Sequence, residues 1–142
     1  MVIPCYNEEE VLPETARQLL EKMQSLMTAG KIMEKSRIVF VNDGSKDRTW
    51  ELIQKFHAEN PIYQGISLSR NRGHQNALLA GLMTVKEHCD MTISLDADLQ
   101  DDIDAIDQMI AMKPETTSST VSAVPERRIP CSKSVPRRAF IK

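Results

Sequence analysis

The sequence predicts an α/β fold, a parallel sheet flanked by helices, and three observations carry that prediction. Short, nearly continuous apolar runs such as Arg37-Ile38-Val39-Phe40-Val41 and Met91-Thr92-Ile93-Ser94-Leu95 have the length and β-branched content of strands covered on both faces. The segments between them carry apolar residues at helical spacing. Each run also ends in a polar loop. Strands that alternate with helices call for right-handed crossovers and therefore a parallel sheet.

The elements follow in order. Val2-Ile3 is the end of a first strand, clipped at Met1. Pro13 sits in the first turn of a helix, where its missing N–H costs little. Leu12, Ala16, Leu19, Leu20, Met23 and Leu26 line one face of that helix to about Ala29, and Gly30 stops it. The second strand is Arg37 to Val41. Asp47 then caps a helix to about His57 that carries Trp50, Leu52, Ile53 and Phe56. A third strand runs from Tyr63 to Leu68 and a third helix from Gly73 to His88. Met91 to Leu95 is the fourth strand, and Ile103 to Met112 the fourth helix.

Composition narrows the function classes. The 142 residues suit one domain, and 41% hydrophobic with 27% charged residues is ordinary for a globular chain. A formal net charge of −2 argues against a nucleic-acid partner. No apolar run approaches the roughly 18 to 20 residues of a membrane span, and no signal peptide is visible. Cys5, Cys89 and Cys131 are odd in number and widely spaced, which reads as reduced thiols in a cytoplasmic setting. Charge is unevenly spread: residues 113–142 hold seven basic and two acidic groups, a net of +5, against −7 for residues 1–112. The tail also holds four of the seven prolines and shows no helical or strand periodicity, so it reads as a disordered or out-of-register segment beyond a boundary at Met112.

Chemistry collects at the strand ends. Asp96-Ala97-Asp98 puts two carboxylates, one residue apart, at the carboxyl end of the fourth strand, where ligands bind in open α/β sheets. Two such carboxylates repel unless a cation or a shared proton compensates, and Mg²⁺ or Mn²⁺ carrying substrate phosphates is a common compensation. Pro4-Cys5-Tyr6-Asn7-Glu8-Glu9, Asn42-Asp43-Gly44-Ser45-Lys46-Asp47-Arg48-Thr49 and Ser69-Arg70-Asn71-Arg72-Gly73 follow the first three strands. No G-x-G-x-x-G and no G-x-x-x-x-G-K-[ST] is present, which sets aside dinucleotide oxidoreductases and P-loop NTPases.

These four loops, in this order, resemble the motifs of family 2 glycosyltransferases, nearest to the dolichyl- and undecaprenyl-phosphate sugar transferases of the bactoprenol glucosyltransferase type. The resemblance covers residues 1 to about 110. It implies a GT-A fold, which is Rossmann-like, and inverting transfer of a hexose from a nucleotide sugar, UDP-glucose or GDP-mannose, to a polyprenyl phosphate at the cytoplasmic face of a membrane. By the same resemblance Pro4, Tyr6, Glu8, Asp43, Arg72 and Asp96 line the nucleotide site. Asp96, Asp98 and Gln100 are the metal donors, with Arg70 a further candidate for the diphosphate. A bland reading stands beside each: Glu8 and Glu9 suit a helix start, Asp43 an Asx turn, Asp47 a cap, His74 a structural histidine, and Asp101 and Asp102 a helix N-terminus.

The sequence also departs from the family. The half that builds the acceptor site and any acceptor-side base is not recognisable after the metal motif, so the chain reads as a donor-binding half truncated there. Apolar surface left uncovered by that half implies self-association, a homo-oligomer included. Two other classes fit part of the pattern: a non-catalytic nucleotide-sugar-binding module, and a phosphotransferase of the haloacid dehalogenase type, whose Asp-x-Asp normally follows the first strand.

Overall fold

A computed structural model describes residues 1–98, 102–112 and 119–122. Nine elements lie within them: β1 (Val2–Cys5), α1 (Leu12–Thr28), β2 (Ile38–Asn42), α2 (Thr49–Glu59), β3 (Tyr63–Ser67), α3 (His74–Val85), β4 (Met91–Ser94), α4 (Ala105–Ala111) and β5 (Ser119–Ser122). The sheet order is β3-β2-β1-β4-β5, and every pairing is parallel. The eight elements expected up to Met112 are all present, with ends displaced by at most three residues.

The period-two alternation of the strands sorts the core. Ile3, Cys5, Ile38 and Phe40 point to one face and pack with Leu12, Leu19 and Met23 of α1, Ile53 of α2 and Ile106 of α4. Val2, Val39, Val41 and Ile66 point to the other face, beneath Ala77 of α3. That helix runs close over the sheet: a side chain at Gly81 would meet Val2 Cγ1 at 2.6 Å and Val41 Cγ2 at 2.7 Å. Phe40, Phe56 and Tyr63 cluster between β2, β3 and α2, with centroids 5.7 to 6.4 Å apart, Phe40 stacked on Tyr63 and Phe56 tilted to both, and the Tyr63 hydroxyl donates to Ala16 O at 2.8 Å. The α4 helix is held on α1 by ion pairs: Lys22 Nζ lies 2.8 Å from Asp104 and 2.6 Å from Asp107, and Lys31 also reaches Asp107. Hydrogen bonds from Lys22 and Lys31 hold the Asp107 carboxyl below the usual range.

Residues 113–142 show no strand periodicity, yet Ser119–Ser122 pairs in register with Met91–Ser94. A Ser/Thr-rich run shows no hydrophobic alternation, so periodicity does not find it. Its place in the sheet rests on parallel backbone pairing with β4. The composition break at Met112 therefore falls between α4 and β5. The rest of the expected tail, along with Gln100 and Asp101, lies outside the described residues.

Candidate functional site

The sheet order creates one topological switch point, between β1 and β4: the chain leaves β1 through α1 on one face, and reaches β4 through α3 on the other. A crevice outside the carboxyl ends of two such strands is where open α/β sheets bind ligands. The two strands pair only at Val2↔Ser94, and Leu95 N donates to Val2 O at 3.3 Å before the chain turns away into Asp96-Ala97-Asp98. Pro4 fits this central strand for the same reason. The N–H groups of Ile3 and Cys5 alternate toward β2, so the donor that proline lacks is on the β4 side, past the last pair.

The four polar loops are laced to one another. Asn7, at φ 56°, accepts from Lys46 N at 2.9 Å, and its own N–H donates to Ser45 Oγ at 3.1 Å. Glu8 N donates to Thr49 Oγ1 at 2.8 Å and Glu9 N to Asp47 Oδ2 at 3.1 Å. Asp47 also accepts from Thr49 N at 3.0 Å at the start of α2. Burial raises the Asp47 carboxyl, but the hydrogen bonds from Thr49 and Glu9 outweigh it, and the net shift is downward.

The next pair of loops is joined by Asp43, which is 2% exposed. Its Oδ1 accepts from Arg72 N at 2.7 Å and its Oδ2 from Gly73 N at 2.8 Å. Asn42 braces the same corner, donating to Ser67 Oγ at 2.9 Å and accepting from Ser45 N at 3.0 Å. Asp43→Asn leaves one acceptor for the amides of Arg72 and Gly73, of which Gly73 N also reaches Asn71 Oδ1 at 3.0 Å. The expected cost is about 2 kcal/mol, since a hydrogen bond to a charged group contributes roughly 1.5 to 3 kcal/mol. Urea unfolding would show it as a lower midpoint at unchanged slope.

Asp96 and Asp98 are both exposed, on either side of the buried Ala97. His74 Nε2 at the start of α3 lies 3.4 Å from Asp96 Oδ1, so the histidine sits at the site edge rather than in the core. Glu8 reaches the same region from the first loop. Its carboxyl is raised above its ordinary value, first by burial and then by the charges of Asp98, Asp47 and Asp96. Cys5 is no nucleophile here: burial and then Glu8 drive its thiol strongly upward, so it stays protonated.

The structure thus gathers Pro4, Glu8, Asp43, Asp96 and Asp98 at one sheet edge, with Tyr6, Arg70 and Arg72 on its exposed loops. Gln100 is outside the described residues. Thr15, Asn7, Ser45 and Thr49 hold the loops, a role that the motifs by themselves do not assign. Thr15 carried a readable signal, a polar residue inside the apolar stripe of α1, because a buried hydroxyl requires a partner.

Among the described residues no three His, Cys, Asp or Glu converge into a protein-only metal cage. Mg²⁺ and Mn²⁺ need less, one or two carboxylates with substrate phosphates. Asp96 and Asp98, exposed at the switch point, fit that donor set.

A family model for glycosyl transferase family 2 matches residues 1–139. The chain belongs to that family. The match continues past the composition break at Met112. Among curated relatives, "Uncharacterized glycosyltransferase YkoT" of Bacillus subtilis (strain 168) is 53% identical over 106 residues, covering 75% of this chain and 32% of the relative. "Prophage bactoprenol glucosyl transferase homolog" of Escherichia coli (strain K12) is 37% identical, covering 78% of this chain and 33% of the relative. "Undecaprenyl-phosphate 4-deoxy-4-formamido-L-arabinose transferase" of Shewanella sediminis (strain HAW-EB3) is 38% identical, covering 90% and 36%. The chain spans about a third of the length of these relatives. Among the described residues no helix is long and apolar enough to cross a membrane.

Proposed function

We propose that this chain is the donor-binding portion of a metal-dependent, inverting hexosyltransferase that uses a nucleotide sugar, UDP-glucose ahead of GDP-mannose, and a polyprenyl phosphate acceptor at the cytoplasmic face of a membrane. The observation that carries the reading is the convergence of four family 2 loops on Asp96 and Asp98 at the switch point between β1 and β4. Two relatives named for bactoprenol and undecaprenyl-phosphate transfer support the lipid acceptor.

In this reading Pro4, Tyr6 and Glu8 line the nucleoside pocket, and Asp43 holds the Arg72 loop over it while its remaining lone pairs face the base N–H. Arg70 and Arg72 meet the diphosphate. Asp96, Asp98 and Gln100 hold Mg²⁺ or Mn²⁺, which supplies charge stabilisation to the departing nucleoside diphosphate. A lipid phosphate is already ionised, so little is asked of a general base, and positioning with electrostatics carries the rate.

Calorimetric titration of the 142-residue chain with UDP and GDP, each with and without Mn²⁺, tests the reading. One nucleotide is expected to bind, and more tightly with the metal. Absence of binding by a chain with a native circular dichroism spectrum would refute it. Transfer of glucose from UDP-glucose to a polyprenyl phosphate by this chain would overturn the restriction to donor binding.

A further inference from the structure

We infer that Thr15 is the positioning residue for the Asp96–Asp98 turn: its hydroxyl fixes the Ala97 carbonyl, and thereby the direction of the two flanking carboxylates. The inference rests on the donor-site reading above. Thr15 is fully buried in the first turns of α1, and its Oγ1 donates to Ala97 O at 2.6 Å. A helical threonine normally turns its hydroxyl to the carbonyl four residues back. Here that carbonyl, Val11 O, is more distant at 3.1 Å and already takes the Thr15 backbone N–H. A hydroxyl has one proton to give, and the shorter contact reaches 82 residues along the chain instead.

The turn is anchored on two sides. Ala97 is 4% exposed and belongs to the cluster containing Leu12 and Ala16, so its methyl is held in the core while its carbonyl is held by Thr15. With the middle residue fixed at both ends, the carboxylates before and after it turn outward to solvent. The contact also completes the lacing of the site. Asp47 and Thr49 join the first two loops, Asp43 the second and third, and His74 the third and fourth. Thr15 ties the fourth back to the helix that follows the first. Backing of this kind sets the orientation of metal-binding groups, and its removal typically lowers affinity about 10- to 100-fold.

The test is the gain in UDP affinity on adding Mn²⁺, measured calorimetrically in wild type, Thr15→Val and Thr15→Ser. Valine keeps the shape and deletes the donor. It is expected to cut the metal-dependent gain about tenfold, with metal-free UDP affinity and the circular dichroism spectrum unchanged. Serine is expected to restore the gain. An undiminished gain in Thr15→Val overturns the inference, and so does failure of serine to restore it, since the methyl group would then be responsible. If valine prevents folding, Thr15→Ala replaces it. Loss of fold in both, with Thr15→Ser folded, assigns the hydroxyl to stability alone and overturns the inference too. A wild-type chain with no metal-dependent gain refutes the donor-site reading itself, and that is evident before any variant is compared.

Discussion

Asp98→Asn is expected to remove most of the Mn²⁺-dependent gain in nucleotide affinity, on the order of a hundredfold, because a metal carboxylate supplies several kcal/mol of charge stabilisation and each 1.4 kcal/mol is a factor of ten. The side chain keeps its size, and Asp98 is exposed, so packing is not disturbed. Calorimetric titration with UDP and Mn²⁺ measures the loss. The same substitution has a second, opposite consequence. Asp98 is the largest of the charges that raise the Glu8 carboxyl, after burial. A carboxyl raised by folding is protonated at low pH without cost, and its fold loses stability as pH climbs from the ordinary glutamate range through the raised value. Removing the Asp98 charge relieves part of that loss. Asp98→Asn should therefore raise the thermal midpoint at pH 7, and the gain should shrink as pH falls below the ordinary glutamate range. A chain that loses both binding and stability at pH 7 would show that Asp98 supports the fold instead.

Gly44→Ala is expected to be the most destabilising single change at the site, at about 3 kcal/mol or more, the range reserved for backbone strain combined with overpacking. Gly44 has φ +66°, and a Cβ there would stand 2.5 Å from Arg70 C, 2.6 Å from Asn71 N and 2.8 Å from Arg70 Cα. All three atoms are backbone, so no side chain can swing aside. The loop would have to lift, and with it the amides of Arg72 and Gly73 that Asp43 holds. Gly30 supplies the internal control. Its φ is nearly the same, +68°, but a Cβ there meets nothing within 4 Å. Gly30→Ala should cost only the left-handed strain, about 1 kcal/mol. Urea unfolding of the two variants separates strain from contact, and equal losses would mean that the close approach of Gly44 to the 70–71 backbone carries no energy.

Much of this protein was legible in its sequence because the signals are local. Eight elements followed from the spacing of apolar residues, and the strand-end loops from polar residues that cannot continue a buried strand, with Gly30 ending α1 as its left-handed conformation requires. The exposure of Asp96 and Asp98 was legible because carboxylates that follow an apolar run conflict with burial. The sequence by itself thus determined the alternation, the sheet direction and the chemical character of each loop. Tertiary structure decided the partners. That β1 lies between β2 and β4, placing Asp96-Ala97-Asp98 beside Pro4-Cys5-Tyr6-Asn7-Glu8-Glu9, depends on strand order, which helical and strand periods do not encode. The strand at Ser119–Ser122 exists through pairing with β4 and not through any pattern of its own. Asp43 turned to the amides of Arg72 and Gly73, 29 and 30 residues away, and Thr15 to a carbonyl 82 residues away. Hydrogen bonds over such separations are set by which buried donors and acceptors folding brings together, since each must find a partner once water is excluded.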